Sequence, residues 1–244
     1  MPQYVYGIVE AGSTKPRGRG IAGAPLRVVA SEDVAALVSE IDSHDVRLGR
    51  DEVLLHADVL ERALGRGTVL PMRFGVVMSD AEEIRSRLLE EHAAELSAQL
   101  AEFAGKVEIR IRATYEQEPL LREVVREHPE IASLREAVRG ESDDATYYDR
   151  IRLGELVAAA IQRRRGHDGR AIVDALAAAA LAVEIGEPAH ERIVVQASFL
   201  VDRDRLVEFD AILDDVAGDY GGRIRFKYVG PLPPHSFVEL AQSV

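Results

Sequence analysis

Apolar residues along the chain alternate between strand and helix periods. Tyr4–Val9 is a short run of β-branched and aromatic residues and predicts a first strand. Ala11–Pro25 is rich in glycine, proline and basic residues and predicts an exposed loop. Leu26–Ala30 predicts a second strand, and Val34–Ile41, whose pattern suits strand or helix, is read as a third. Val53, Leu54, Ala57, Leu60 and Leu64 recur at helical spacing, so Arg50–Gly65 is expected to form a helix that stops at Gly65 and Gly67. Val69–Val77 reads as a strand. Pro71 within it has no N–H to give to a ladder, which places this strand at an edge or on a bulge. Ser79 followed by Glu82 matches a capping box. The helix it opens is expected to reach Phe103, with Ile84, Leu88, Leu96, Leu100 and Phe103 on one face.

Lys106–Ala113 alternates strictly, with Val107, Ile109 and Ile111 inward and Glu108, Arg110 and Arg112 outward, as in a half-buried strand. Three helical stretches follow, over about 117–139, 146–165 and 168–180, with a polar turn at Gly140–Asp144. Leu181–Ile185 and Ile193–Val201 predict strands, Asp202–Ala217 a helix and Arg223–Val229 a last strand. Gly230-Pro231-Leu232-Pro233-Pro234 predicts an extended tail, because proline fixes φ and blocks helix. The fold class is therefore α+β with two domains, residues 1–105 and 106–244, divided near Gly105. The second reads β-(ααα)-β-β-α-β, a ferredoxin-like βαββαβ order with a helical insertion (about 117–180) in its first crossover and a Pro-rich tail, 230–244.

Charge narrows the range of functions. The 244 residues carry 30 Lys plus Arg against 42 Asp plus Glu, a net charge of −12. That balance argues against nucleic acid and anionic membranes as general partners, since phosphate recognition needs a cationic surface. With no cysteine, disulfides, thiolate metal sites and cysteine nucleophiles are excluded. The longest apolar run, Ala175–Val183, falls far short of the about 20 residues that span a bilayer. The N-terminal segment lacks the pattern of a secretory signal, and a cytoplasmic location is expected.

Motifs of catalysis are weak. Gly18-Arg19-Gly20-Ile21-Ala22-Gly23 matches G-x-G-x-x-G, but it neither follows a strand directly nor opens a helix, so it reads as a loop and no cofactor is expected. Glu184, Glu187, His190 and Glu191 cluster beside a turn, where solvated polar residues belong, and no metal site is expected. Neither a nucleophile elbow nor a Walker A sequence is present.

Three segments invite a binding role. In Val69–Gly75, Arg73 is either an edge-strand guard against aggregation or a paired polar anchor. Arg163, Arg164 and Arg165 lie in a stretch, 150–170, with six Arg against two acids, net +4. They either complement a helix C-terminus or form a basic patch for an acidic partner. Gly230–Phe237 either caps the last strand and tucks Phe237 into a groove, or offers a preformed extended backbone to a partner.

Tyr4–Val9, Val69–Gly75, Lys106–Glu108, Ala197–Asp202 and Gly230–Phe237 together, in this order, resemble the gas vesicle protein F/L family. The chain departs from the family pattern at Ile109, Leu232 and His235, where aromatic residues are common. The resemblance implies a non-enzymatic accessory protein, associated with gas vesicles, that binds the hydrophobic shell protein and other accessory proteins during nucleation of assembly. No small-molecule substrate is then expected. The candidate contacts are Pro71, Arg73, Phe74 and Gly75 in one segment and Gly230, Pro231, Pro233, Pro234 and Phe237 in the other. The alternative functions are a small-molecule-binding regulator on a ferredoxin-like scaffold and an enzyme with an unrecognised carboxylate site.

Overall fold

The computed structural model describes residues 1–13, 17–42, 49–141 and 146–239. Parts of the expected loop at Ala11–Pro25, the turn at Gly140–Asp144 and the tail at 230–244 lie outside the described residues. The chain divides into two compact units. One comprises Met1–Ile109, Leu200–Asp204 and Gly230–Val244; the other comprises Arg110–Phe199 and Arg205–Val229.

The first unit is built on strands β1 (Gln3–Glu10), β2 (Leu26–Ser31), β3 (Val34–Glu40), β4 (Val69–Pro71) and β5 (Val77–Met78). Their order is β2-β3-β1-β4, with β5 also pairing to β1. β1 is buried almost throughout, as an internal strand should be. A bulge between Val5 and Gly7 shifts its pairing with β3. It also changes which parity faces which layer. Tyr4, Tyr6 and Gly7 look towards helix α1 (Arg50–Leu64), whereas Val5 and Ile8 join the core on the other side. A Cβ on Gly7 would meet Leu70 O at 2.7 Å and Leu60 Cδ2 at 3.0 Å, so only glycine lets α1 and β4 close on this point.

The inward stripe of α1 differs from the expectation. His56, Val59, Leu60, Ala63 and Leu64 are buried, while Val53 and Leu54 are exposed. The opposite layer is α2 (Ala81–Glu83), a π-helical segment (Ile84–Glu90) and α3 (Ala93–Glu102), where one helix was expected. The wide turn, with Glu91 N–H donating to Ser86 O, lets Ile84, Leu88 and Leu89 all face the core before Leu96, Leu100 and Phe103 continue it. The cap is Asp80, not Ser79: its carboxylate accepts from Glu82 N and Glu83 N, while Ser79 donates to Glu83.

The expected strand Val69–Val77 is two strands. β4 pairs Pro71 with Gly7, and β5 pairs Val77 with Tyr4. The six-step path from Pro71 to Val77 faces only three steps of β1, so Arg73–Gly75 bulge out of the ladder at the sheet edge.

The remaining strands, β6 (Lys106–Tyr115), β7 (Ala182–Gly186), β8 (Ile193–Asp202) and β9 (Ile224–Leu232), form an antiparallel sheet in the order β7-β8-β6-β9. Between β6 and β7 lie α4 (Gln117–Glu127), α5 (Pro129–Ala137) and α6 (Tyr147–Ala177); α7 (Leu206–Asp219) precedes β9. The two helices expected at 146–165 and 168–180 are the single 31-residue α6, continuous through Gly166 and Gly169. Gly169 is where α6 crosses β8: a Cβ there would lie 3.1 Å from Val194 O. The rings of Phe199 and Phe209, with centroids 5.4 Å apart, centre the apolar core of this unit.

Candidate partner-binding surface

In the first unit, the bulged edge and the C-terminal tail are both held by buried polar groups. His56 Nδ1 lies 2.8 Å from Tyr4 OH, and its Nε2 lies 3.2 Å from Met72 O. A carbonyl can only accept, so Nε2 carries the proton, and Nδ1 accepts from the Tyr4 hydroxyl. That hydroxyl in turn accepts from Gly75 N at 3.0 Å. Gly75 has φ of 96°, which favours glycine. The Phe74 ring packs edge-on to His56, with centroids 5.7 Å apart, and tilted against Tyr4 at 6.1 Å. One relay thus fixes both ends of the bulge and leaves Arg73 and Gly75 exposed at its tip. Among the described residues Arg73 forms no ion pair, and it lies in the bulge, not in a strand. Burial, then the neighbouring His235, push the His56 imidazole down to about 4. Burial also raises the Tyr4 and Tyr6 hydroxyls above their ordinary range, so the cluster is neutral at pH 7.

The tail is pinned from β6. Glu108, expected to face solvent, is fully buried. Its carboxylate accepts from Ser236 N at 2.7 Å and Ser236 Oγ at 2.9 Å. Gly230 sits so close to β6 that a Cβ would meet Glu108 O at 3.0 Å. The tail is not simply extended. Gly230 and Pro231 belong to β9, whose last residue is Leu232. Pro233 and Pro234 are buried, and Pro234 O accepts from Phe237 N and Val238 N in a tight turn. Phe237 packs on the core beside Val238. Pro231 and Ser236 remain exposed. Val238 and Phe237 share one apolar cluster with Leu70 and Met72, so the two segments adjoin.

In the second unit, Arg163, Arg164 and Arg165 lie well inside α6, so the argument from a helix C-terminus fails. They do not act together. Arg164 pairs with Glu123 at 3.0 Å and Glu127 at 2.6 Å, while Arg163 is exposed and Arg165 half-buried. Arg223 joins Glu123 at 2.8 Å to Asp168 at 3.4 Å, and Tyr115 donates to Asp168 at 2.7 Å. This network ties α4, α6, β6 and the start of β9 together.

The other motifs carry packing. Gly18–Gly23 forms a loop with a short 3-10 turn that runs into β2. Gly20 lies against Tyr6 and Ser39, and Ile21 N donates to the Tyr6 hydroxyl at 2.7 Å. Glu184, Glu187, His190 and Glu191 are exposed, and among the described residues no group of three or more His, Asp or Glu could hold a metal ion. No helix of the described residues is long and apolar enough to cross a membrane. Sequence reasoning passed over His56, Glu108 and Asp168. Only His56 carried a signal: it shares helical spacing with Val59, Leu60, Ala63 and Leu64.

The whole chain has relatives. The family model described as gas vesicle synthesis protein GvpL/GvpF matches residues 2–239. The chain is 36% identical over 243 residues to gas vesicle protein F of Streptomyces sp. (strain CB03234), covering 98% of this chain and 100% of that one. It is 27% identical over 241 residues to gas vesicle protein F of Haloferax mediterranei, covering 97% and 93%. Its fold is similar to the crystal structure of GvpF from Anabaena sp. PCC7120, with a TM-score of 0.77 at 21% identity over 98% of this chain and 96% of that one. GvpF from Microcystis aeruginosa gives 0.75 at 23% identity over 99% of both. A family match that runs through both units and takes in the bulged edge and the pinned tail shows that the chain belongs to the GvpL/GvpF family of gas vesicle synthesis proteins.

Proposed function

We propose that this protein is a non-enzymatic accessory factor of gas vesicle assembly that binds the hydrophobic shell protein, together with other accessory proteins, in the cytoplasm during nucleation. The observation that carries the reading is the match to gas vesicle synthesis proteins over residues 2–239. The physical logic follows from the product. A shell that excludes water needs subunits with a large apolar face, and such faces aggregate before they are assembled. An acidic, soluble partner that covers the face keeps subunits available.

The layout proposed with this function is two-domain: residues 1–105, then a ferredoxin-like domain, 106–244, with a helical insertion. The strand order β9-β6-β8-β7 and the three helices between β6 and β7 support the ferredoxin-like part, while Leu200–Asp204 and the tail from Gly230 group with the first unit. The proposed contacts are the exposed tip of the bulge at Arg73–Gly75, with Pro71 and Phe74 beneath it, and the tail from Gly230 to Phe237. Rigid placement of both segments favours them, because ordering costs are then met in folding and not in binding.

Co-expression with a gas vesicle shell protein tests this. The expected result is shell protein retained in the soluble fraction and co-purified with this chain, with recovery reduced several-fold by Arg73→Glu. Because Arg73 is exposed, that substitution leaves the fold intact. Shell protein that pellets as it does alone would count against direct binding.

A further inference from the structure

The second unit contains a cleft of about 820 Å³ that the reading above does not use. Leu120 and Leu121 of α4 form one wall, and Gly154, Val157, Ala158 and Ile161 of α6 the other. The α6 residues follow i, i+3, i+4, i+7 spacing, which is one continuous helix face about 10 Å long. A smaller hollow of about 410 Å³ shares Leu121 and Val157 and prolongs the trough towards α5.

The trough is held open. Arg164 bridges from α6 to Glu123 and Glu127 of α4, and Tyr115, which lines the cleft, is fixed by its bond to Asp168. These charged struts set the spacing of α4 and α6, so the apolar walls cannot collapse on each other. Its shape suits a helix. Gly154 and Ala158, four residues apart, are both exposed, and no described residue lies within 4 Å of where a Gly154 Cβ would be. Glycine weakens a helix interior, and no neighbour among the described residues requires it there. Close approach of another backbone would use it.

The charged residues that line the trough are three arginines and two glutamates, on a chain of net charge −12. Arg122 and Arg135 line the smaller hollow beside Glu118, and Arg192 lines the larger beside Glu191. We propose that the α4–α6 trough docks an amphipathic helix of a partner protein, with the helix's apolar stripe on Val157 and Ile161 and its acidic flanks on these arginines. The proposal rests on the reading of this chain as a protein-binding factor and adds the partner's chemistry.

The test uses the full chain and two fluorescent synthetic helices of about 18 residues, both with a leucine stripe, one flanked by Glu and one by Lys. The Glu peptide is expected to bind with a micromolar Kd, and the Lys peptide at least about tenfold more weakly. Gly154→Leu fills the trough and Val157→Glu charges it; each is expected to raise Kd at least about tenfold. Gly154→Leu is not expected to lower the unfolding temperature, because the space is open. Absence of binding, equal binding of both peptides, or unchanged binding in both variants would overturn the proposal. Co-purification of shell protein would survive any of those outcomes, so the two ideas fail separately.

Discussion

Replacing Glu108 with alanine is expected to lower stability by about 3 kcal/mol and to free the tail. The carboxylate is fully buried and accepts both the amide and the hydroxyl of Ser236. Hydrogen bonds to a charged group contribute about 1.5–3 kcal/mol, and truncation also leaves a cavity between β6 and the tail. Urea unfolding measures the loss, and hydrogen exchange at Ser236–Val238 reports whether the turn has opened. Ser236→Ala, which keeps the amide bond, is expected to cost less than half as much. If Glu108→Ala unfolds at the wild-type urea concentration, the carboxylate does not hold the tail.

Acid is expected to destabilise the protein through His56. The side chain is 5% exposed, and its folded pKa is about 4 against 6.5 for the free group. The unfolded chain therefore binds the extra proton first. The stability due to neutral His56 is complete above pH 6.5, and it is lost progressively as pH falls towards 4. The whole loss is about 3 kcal/mol, most of it above pH 4. Protonation at Nδ1 removes the acceptor that holds Tyr4, so the bulge at Arg73–Gly75 loosens with it. His56→Gln is expected to be less stable at pH 7 but to show a flatter pH profile between 6.5 and 4. The same slope in wild type and variant would assign the effect to other groups.

Local patterns carried the elements well where a single rule applied. Tyr4–Val9, Leu26–Ala30, Val34–Ile41, Lys106–Ala113 and Ile193–Val201 all correspond to strands; that from Val34 stops at Glu40, and the others run a little further than expected. The misreadings share a cause: tertiary packing overruled a local preference. The stretch was read as two helices parting near Gly166, yet α6 runs through, and Gly169 provides the close crossing over β8. Proline at 71 suggested an edge strand with a bulge, but not that the ladder would resume at Val77 after looping out Arg73–Gly75. Glu108 fell on the polar phase of an alternating strand and was assigned to solvent. Its partner lies 128 positions away, and alternation has no access to that distance. The bulge and the tail were both legible as unusual segments. The anchor Glu108 was not, and for His56 helical spacing marked the buried face but not its partners, because a buried polar residue is distinguished by what packs around it.

The most direct test of the account is reconstitution in a cell that carries a gas vesicle gene set lacking its F/L-type member. The account predicts that electron micrographs show gas vesicles when this chain is supplied and none when it is omitted. Vesicles forming equally well without it, or failing to form although the folded chain is present with matching partners, would contradict its role in assembly.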